Sequence, residues 1–276
     1  MYLEKFNLRE KETEFGYMPK VTFYLLDKWK KECARPMVIV APGGGYGCIC
    51  SDREGERIAL SYNAAGFHAA VVEYCVKPHL HPEPIRNIAR AIEIARENAD
   101  SWQLDPNAIL VCGFSAGGHL CASISTLWNN EKIFTKEEIQ SRKHRPDGSI
   151  LCYPVITSQG KAHPGSFKNL VGSDDPENEL VKLYSLELAV NEDTCPSFIW
   201  HTFTDQIVPV SNSLLYANAL ENKGIPFELH IYPNGVHGLA LQSDEVIWSR
   251  PDRDRDYAWM KLSIDWINEL FETVKK

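Results

Sequence analysis

The sequence has no concentration of positive charge. Its 29 Lys and Arg residues are outnumbered by 37 Asp and Glu residues, which gives a formal net charge of -8. The basic residues are scattered apart from two short runs, 28–31 and 142–145, which we interpret as solvated loop or helix faces. A nucleic-acid-binding face would need clustered Lys and Arg. The composition therefore excludes nucleic acid as the main partner.

The sequence also shows neither a signal peptide nor a membrane-spanning segment. No run of about 18 apolar residues is present, so no membrane-spanning helix is expected. Residues Met1–Lys5 do not begin a basic segment followed by an apolar stretch, so no signal peptide is predicted. From these two absences we expect a cytoplasmic protein without a membrane partner.

The eight cysteines do not form the pattern of a metal site. Cys48 and Cys50 make a C-x-C pair with no matching second pair, and His79 and His81 have no evident third ligand. No metal is therefore expected. Four other cysteines fall inside predicted core elements, and without an export signal we interpret them as reduced core residues. These are Cys75, Cys112, Cys121 and Cys152.

What the sequence does contain is an alternation of short apolar runs with amphipathic helices. Strands are predicted at 21–26, 36–42, 68–73, 108–112, 149–154, 196–203 and 227–232, and helices at about 54–65, from Pro84, after Ser115, at 210–222 and at 259–274. Such an alternation implies a mainly parallel sheet with right-handed crossovers. We predict a single α/β domain over residues 1–276. Within it, residues 155–194 form a cap-like excursion, because the periodic pattern weakens there.

Residues 108–127 follow the order strand, tight turn, helix, with Ser115 at the turn. The apolar run Ala108–Cys112 is typical of a strand buried on both faces, and Gly113–Gly117 then matches G-x-S-x-G. The positions two before and two after the serine must be small, because strand and helix approach closely there. This pattern predicts a nucleophilic serine at a helix N-terminus. The pentapeptide alone also fits a glycine-rich turn with an incidental serine.

Three consecutive glycines, Gly43 to Gly45, follow the strand predicted at 36–42. Glycine runs are usually flexible turns, and they leave backbone N–H groups uncovered by side chains. Upstream of a serine turn, however, this is where the second half of an oxyanion hole is expected. We therefore predict that the N–H groups of Gly44, Gly45 and Ala116 bind an oxyanion.

Asp205 and His237 come just after the ends of two further predicted strands, as Ser115 does. Open α/β sheets bind ligands at that edge. A serine is a weak nucleophile until a base takes its proton, and an imidazole base needs a group that orients it. We therefore predict a triad in which Ser115 is the nucleophile, His237 the base and Asp205 the orienting acid. The chain order Ser, Asp, His is the one that this architecture uses.

Other residues compete for the roles of acid and base. The competitors are Asp174, Asp175, His119, His163 and His201. Asp205 is also a candidate cap for residues 208–212. If the strand before Asp205 is assigned wrongly, Asp174 or Asp175 are alternatives for holding the histidine. His119 lies one helical turn after Ser115 and is expected to pack rather than to act as a base.

Several of these segments resemble the α/β-hydrolase superfamily, in particular its esterase and lipase branch with a His-Gly-Gly-Gly oxyanion motif. The resemblance is carried by the glycine run 43–45 and by residues 113–119, 153–156, 200–202, 205–209 and 235–238. It extends from about Met37 to the final helix, and it is nearest to bacterial acetyl esterases related to acetyl xylan esterases. In that family the residue before the glycines is commonly histidine. This chain has Pro42 there, so it departs from the family in the side chain that anchors the loop.

The resemblance implies an α/β-hydrolase fold and a serine esterase that removes short acyl groups, acetyl above all, from carbohydrate such as xylo-oligosaccharides. It implies a small-molecule ester as the partner, and neither a metal nor an organic cofactor. A peptidase, amidase or formamidase on the same triad is the alternative among enzymes. An inactive ligand-binding module of the same fold is the alternative outside them. An insertion at 248–253 follows the predicted base, and we expect it at the substrate entrance or at a subunit contact.

Overall fold

A computed structural model describes residues 1–28, 34–242 and 257–272. The insertion at 248–253 and most of the basic run 28–31 lie outside the described residues.

The described residues form one eight-stranded sheet in the order β1-β2-β4-β3-β5-β6-β7-β8. The strands are β1 (Tyr2–Asn7), β2 (Lys20–Leu25), β3 (Arg35–Ala41), β4 (His68–Glu73), β5 (Leu104–Phe114), β6 (Gly148–Cys152), β7 (Ser197–Thr202) and β8 (Phe227–Tyr232). From β4 through β3 to β8 all neighbouring strands are parallel, and β1 and β2 join one edge antiparallel. The prediction of a mainly parallel sheet is confirmed.

Helices cover both faces of this sheet. They are α1 (Ser51–Glu54), α2 (Glu56–Ala64), α3 (Glu83–Glu97), α4 (Ala99–Trp102), α5 (Ala116–Leu127), α6 (Lys136–Ser141), α7 (Pro164–Val171), α8 (Glu179–Leu183), α9 (Ser211–Asn222) and α10 (Trp259–Glu272). Helices α3, α5 and α9 share one buried core with the sheet, and α2 and α10 share the other. None of these described helices is both long enough and apolar enough to cross a membrane.

Strand β5 shows why its sequence is an unbroken apolar run. Ile109 and Val111 belong to the core on one face, whereas Leu110 and Cys112 belong to the core on the other. All four side chains are fully buried, so both faces of the strand require apolar residues. Cys75, Cys121 and Cys152 are likewise buried free thiols, which confirms the sequence prediction for the four cysteines.

Two details differ from the sequence prediction. Strand β1 was not predicted, because this edge strand is largely exposed and its more covered positions combine the charged Glu4 with the apolar Phe6. The helix predicted at about 54–65 corresponds to α2, and a short helix that was not predicted, α1, precedes it. Gly55, whose φ of -105° and ψ of -109° are not helical, separates the two. A Cβ atom at Gly55 would lie only 2.6 Å from the carbonyl oxygen of Ser51.

The parallel strands bring several loops to one edge of the sheet. The loops after β3, β5, β7 and β8 carry the glycine run, Ser115, Asp205 and His237 respectively. The excursion 155–194, which contains α7 and α8, leaves the same edge after β6. It packs against the glycine run, since Asn169 Nδ2 donates a hydrogen bond of 2.9 Å to the carbonyl oxygen of Gly45.

Candidate active site

Ser115 lies in the strained turn that the sequence predicts. Its φ of 53° and ψ of -116° are unfavourable for a residue with a side chain. Backbone hydrogen bonds hold it there, because its N–H donates to Cys152 and its carbonyl accepts from Val155. The turn therefore fixes the hydroxyl between the end of β5 and the start of α5.

The glycines around Ser115 are required by close backbone contacts. A Cβ atom at Gly113 would lie 2.1 Å from the carbonyl oxygen of Gly117, and one at Gly117 would lie 2.1 Å from the carbonyl oxygen of Ala41. No side chain fits at such distances without movement of the backbone. The prediction that these two positions must be small is confirmed.

A chain of hydrogen bonds joins the three residues that the sequence predicts as a triad. The Nε2 atom of His237 is 2.8 Å from Ser115 Oγ, and its Nδ1 atom is 2.7 Å from Asp205 Oδ2. The Asp205 side chain is fully buried, whereas that of His237 is 16% exposed. The imidazole therefore stands between a buried carboxylate and a hydroxyl at the edge of the sheet.

Asp205 makes the contacts that both of its predicted roles require. Its Oδ1 atom accepts the backbone N–H groups of Ile207 at 2.9 Å and Val208 at 3.0 Å, as a turn cap does. Its Oδ2 atom faces His237. Burial alone would raise the pKa of Asp205, but hydrogen bonds from His201, His237 and Val208 outweigh burial and hold that pKa well below its ordinary value. Asp205 is therefore a carboxylate at neutral pH.

The glycine run passes directly beside the serine. A Cβ atom at Gly43 would lie 3.0 Å from Ser115 Cβ. Gly44 and Gly45 have φ angles of 132° and 61°, which favour glycine. The N–H groups of Gly44, Gly45 and Ala116 donate no hydrogen bond to any other residue that the structure describes. These are the three groups that the sequence predicts as oxyanion donors.

Side chains from other segments hold the loop of the glycine run in this chain, which has Pro42 where the family that it resembles commonly has histidine. Tyr74 Oη donates to the carbonyl oxygen of Pro42 at 2.6 Å. The N–H group of Gly43 donates to Glu54 Oε2 at 2.8 Å. With the bond from Asn169 to Gly45, three side chains fix the loop from three directions.

Two histidines that the sequence analysis did not assign to the site contact it. His201 Nε2 is 3.4 Å from Asp205 Oδ2 and 2.9 Å from the carbonyl oxygen of Val208. This fully buried imidazole holds the Asp205 turn together. The sequence pattern gave only its place inside a strand, and its spacing of four residues before Asp205 is the signal that points to the contact.

His163 approaches from the excursion, at the start of α7. Its Nδ1 atom is 2.9 Å from Ser166 Oγ, and its Cε1 atom is 3.9 Å from the place of a Cβ atom at Gly45. Burial lowers the pKa of His163, the charge of His237 lowers it further, and Asp205 opposes both. His163 is therefore within electrostatic reach of the triad. Its Nε2 atom has no hydrogen-bond partner in the described part of the chain.

The remaining competitors lie elsewhere. His119 is buried, with Nδ1 2.9 Å from Tyr46 Oη and Nε2 2.9 Å from the carbonyl oxygen of Tyr184. Burial lowers the pKa of His119 to about 4. Both ring nitrogens are occupied, so His119 packs as expected. Asp174 and Asp175 are exposed on the excursion.

Comparison with known proteins places this geometry in context. A family model described as BD-FAE matches residues 23–220. The chain is 39% identical over 245 residues to endo-1,4-beta-xylanase B of Butyrivibrio fibrisolvens. That match covers 86% of this chain and 38% of the relative. It is 34% identical over 210 residues to an acetylxylan esterase of Xylanibacter ruminicola, covering 74% of this chain and 41% of the relative. The chain therefore spans about two fifths of the length of these curated relatives.

A solved structure matches over nearly the full length of both chains. The acetyl ester-xyloside bifunctional hydrolase of Caldicellulosiruptor lactoaceticus superimposes with a TM-score of 0.82 and 37% sequence identity. The match covers 97% of this chain and 96% of that one. Both the sheet and its carboxyl-edge loops therefore have a counterpart of known structure.

Proposed function

The chain belongs to the BD-FAE family and has the α/β-hydrolase fold, and from this premise we propose that it is a serine carboxylic ester hydrolase. We propose further that it removes acetyl groups from carbohydrate such as xylo-oligosaccharides. The observation that carries the proposal is the continuous hydrogen-bond chain from Ser115 through His237 to Asp205. This arrangement supports acyl transfer with Ser115 as the nucleophile and His237 as the base.

In the first half of the reaction, His237 Nε2 takes the proton of Ser115 Oγ while that oxygen attacks the ester carbonyl carbon. The carbonyl oxygen becomes an oxyanion, and the N–H groups of Gly44, Gly45 and Ala116 donate to it. The imidazolium then gives its proton to the leaving alcohol oxygen as the ester bond breaks, which leaves an acyl group on Ser115. Each oxyanion donor is worth about 10²–10³-fold in kcat.

In the second half, water replaces the alcohol and follows the same route in reverse. His237 removes a proton from water, the resulting hydroxide attacks the acyl carbon, and Ser115 leaves with the proton that His237 returns. Asp205 keeps Nδ1 of His237 protonated throughout, because its lowered pKa leaves it unable to accept a proton at neutral pH.

The choice of substrate rests on the similar proteins. One relative is an acetylxylan esterase, and the superimposed structure is an acetyl ester-xyloside bifunctional hydrolase. Both names combine an acetyl ester with a xylose-based carbohydrate. We therefore place the natural substrate in that class, with a short acyl group and a sugar as the alcohol.

The test is acetate release from acetylated xylo-oligosaccharides, run beside p-nitrophenyl acetate and p-nitrophenyl butyrate, with Ser115→Ala as the control. We expect release from the sugar that disappears in the variant, and covalent labelling of Ser115 by a fluorophosphonate. Cleavage of the nitrophenyl esters alone would refute the carbohydrate as the substrate but support the esterase activity. An unreactive and unlabelled wild-type chain would favour a binding module, and cleavage of amides in preference to esters would favour an amidase.

A further inference from the structure

A second carboxylate, Glu54, is buried beside the proposed triad. The residue is 2% exposed, and both of its carboxylate oxygens accept hydrogen bonds. Oε2 accepts the N–H group of Gly43 at 2.8 Å, and Oε1 accepts the phenol of Tyr153 at 2.9 Å. Burying a carboxylate costs free energy unless it is paired or hydrogen-bonded. Its position therefore calls for a reason beyond packing.

Tyr153 carries the contact onward to the loop of the proposed base. Its Oη atom accepts the N–H group of Ala240 at 3.0 Å. Its ring meets the His237 ring edge to face, with centroids 5.1 Å apart. Ala240 has a φ of 48°, a left-handed conformation that a residue with a side chain adopts only when its surroundings impose it. Tyr153 is one of the groups that impose it.

We propose that Glu54 and Tyr153 form a positioning pair that holds the oxyanion loop and the histidine loop in register on the two sides of Ser115. The carboxylate fixes the first loop through Gly43, and the phenol fixes the second through Ala240. The inference rests on the proposed esterase function, since register matters only if both loops act on one substrate.

The geometry at Gly43 explains why a carboxylate here acts on the site. A Cβ atom at Gly43 would lie 2.9 Å from Glu54 Oε2 and 3.0 Å from Ser115 Cβ. The carboxylate and the nucleophile thus both lie beside Gly43, and Gly44 follows it directly. A change at Glu54 would turn the peptide that precedes the proposed oxyanion donors, while Ser115 itself stays anchored to Cys152.

The charge of Glu54 also reaches His237. The titratable groups that face Glu54 are Cys50, Arg53, Tyr74, Cys152, Tyr153 and His237. Burial raises the pKa of Glu54, and hydrogen bonds from Gly43 and Tyr153 together with the charges of Arg53 and His237 oppose the rise. Glu54 and His237 therefore interact electrostatically. Removal of the Glu54 carboxylate should change the pH dependence of activity as well as the rate.

The experiment compares Glu54→Ala, Glu54→Gln and Tyr153→Phe with wild type, using p-nitrophenyl acetate and a pH series. Glu54→Ala should lower kcat by about 10²-fold, the effect of losing one oxyanion donor, with little change in KM. Glu54→Gln keeps an acceptor for Gly43, so it should recover most of kcat while the acid limb of the kcat/KM profile moves to lower pH. Tyr153→Phe should lower kcat by about tenfold.

Glu56→Ala is the matched control. Glu56 begins the next helix, is exposed, and also accepts a tyrosine hydroxyl, that of Tyr24 at 3.2 Å. Among the described residues, no hydrogen bond or ion pair joins it to either loop of the site. Its substitution should leave kcat within twofold of wild type.

Hydrogen exchange provides a readout that does not depend on catalysis. Peptides covering residues 42–46 and 238–242 should exchange faster in Glu54→Ala and Tyr153→Phe, with thermal unfolding still cooperative. Unchanged exchange in both peptides, or a folded Glu54→Ala enzyme with kcat within twofold of wild type, overturns the inference. So does a Gln variant as slow as the Ala variant with an unmoved pH profile. An inactive wild type refutes the proposed esterase, and the exchange measurement still decides whether the pair holds the loops.

Discussion

The substitution Asp205→Asn tests the proposed triad sharply, because the surroundings decide how the new amide must face. Oδ1 of Asp205 accepts two backbone N–H groups, from Ile207 at 2.9 Å and Val208 at 3.0 Å. Two buried donors need an acceptor, so the amide oxygen of asparagine must take that place. The NH2 group is then turned toward His237 Nδ1, where the carboxylate oxygen was 2.7 Å away.

An NH2 group at that position changes the tautomer of the His237 imidazole. It can only donate, so Nδ1 must accept and the ring proton moves to Nε2. A protonated Nε2 cannot take the proton of Ser115. We therefore expect kcat to fall by about 10⁴-fold, which corresponds to about 5.5 kcal/mol of barrier. Loss of one charge-assisted hydrogen bond alone would account for about 1.5–3 kcal/mol.

The assay is kcat and KM on p-nitrophenyl acetate at neutral pH, with thermal unfolding as the check on folding. Asp174→Asn is the control, because Asp174 is exposed on the excursion and should leave both constants unchanged. A folded Asp205→Asn enzyme that loses less than tenfold in kcat would refute the reasoning. The orientation of His237 by Asp205 would then be irrelevant to the rate.

Three further outcomes follow from the geometry. His163→Ala should raise KM for acetylated xylo-oligosaccharide by about tenfold and leave KM for p-nitrophenyl acetate unchanged. The His163 ring lies beside Gly45, and its Nε2 atom, which has no partner among the described residues, can hydrogen-bond a sugar hydroxyl that the nitrophenyl ester lacks. Equal effects on both substrates would contradict this. Gly113→Ala should lower the free energy of unfolding by about 3 kcal/mol in urea titration, whereas Gly165→Ala, whose Cβ meets nothing nearer than 3.7 Å, should not. Asp205 ionises more readily in the folded chain, so its contribution to stability is present above its unfolded pKa of about 3.9 and is lost below it. Stability of Asp205→Asn should therefore fall less than that of wild type between about pH 5 and pH 3, and parallel curves would contradict the assignment.

The residues that could be predicted from sequence are those whose role is indicated by the residues next to them in the chain. Ser115 stands in a local pattern whose small residues are explained by contacts within the turn and the adjoining strand, such as Gly113 against Gly117. Asp205 and His237 follow apolar strands, and parallel strands end at one edge whatever their order in the sheet. The sequence therefore predicted all three, and the structure places them within hydrogen-bond distance of one another.

The residues that could not be predicted depend on contacts between distant segments. Glu54 was identified only as the start of a helix, and its bond to Tyr153 joins positions 99 residues apart. His163 lies in a segment whose weak periodicity predicts no fixed place. The break between α1 and α2 at Gly55 was not predicted, because one glycine does not by itself end a helical pattern. Local sequence patterns contain no information about which side chains from distant segments meet in the fold.

The two buried carboxylates beside His237 show how one type of group takes opposite properties from its surroundings. Asp205 has hydrogen bonds from two histidines and from backbone N–H groups, which lower its pKa despite burial. Glu54 has one backbone N–H and one phenol, and burial prevails and raises its pKa. As an ionised partner through the working pH range, Asp205 suits the orientation of a base whose charge changes in each cycle. Glu54 lies against the loop that would receive the oxyanion, and its two hydrogen bonds keep Gly43 and Tyr153 in place. The hydrogen-bond partners around a buried carboxylate therefore decide whether it suits the orientation of a base or the positioning of a loop.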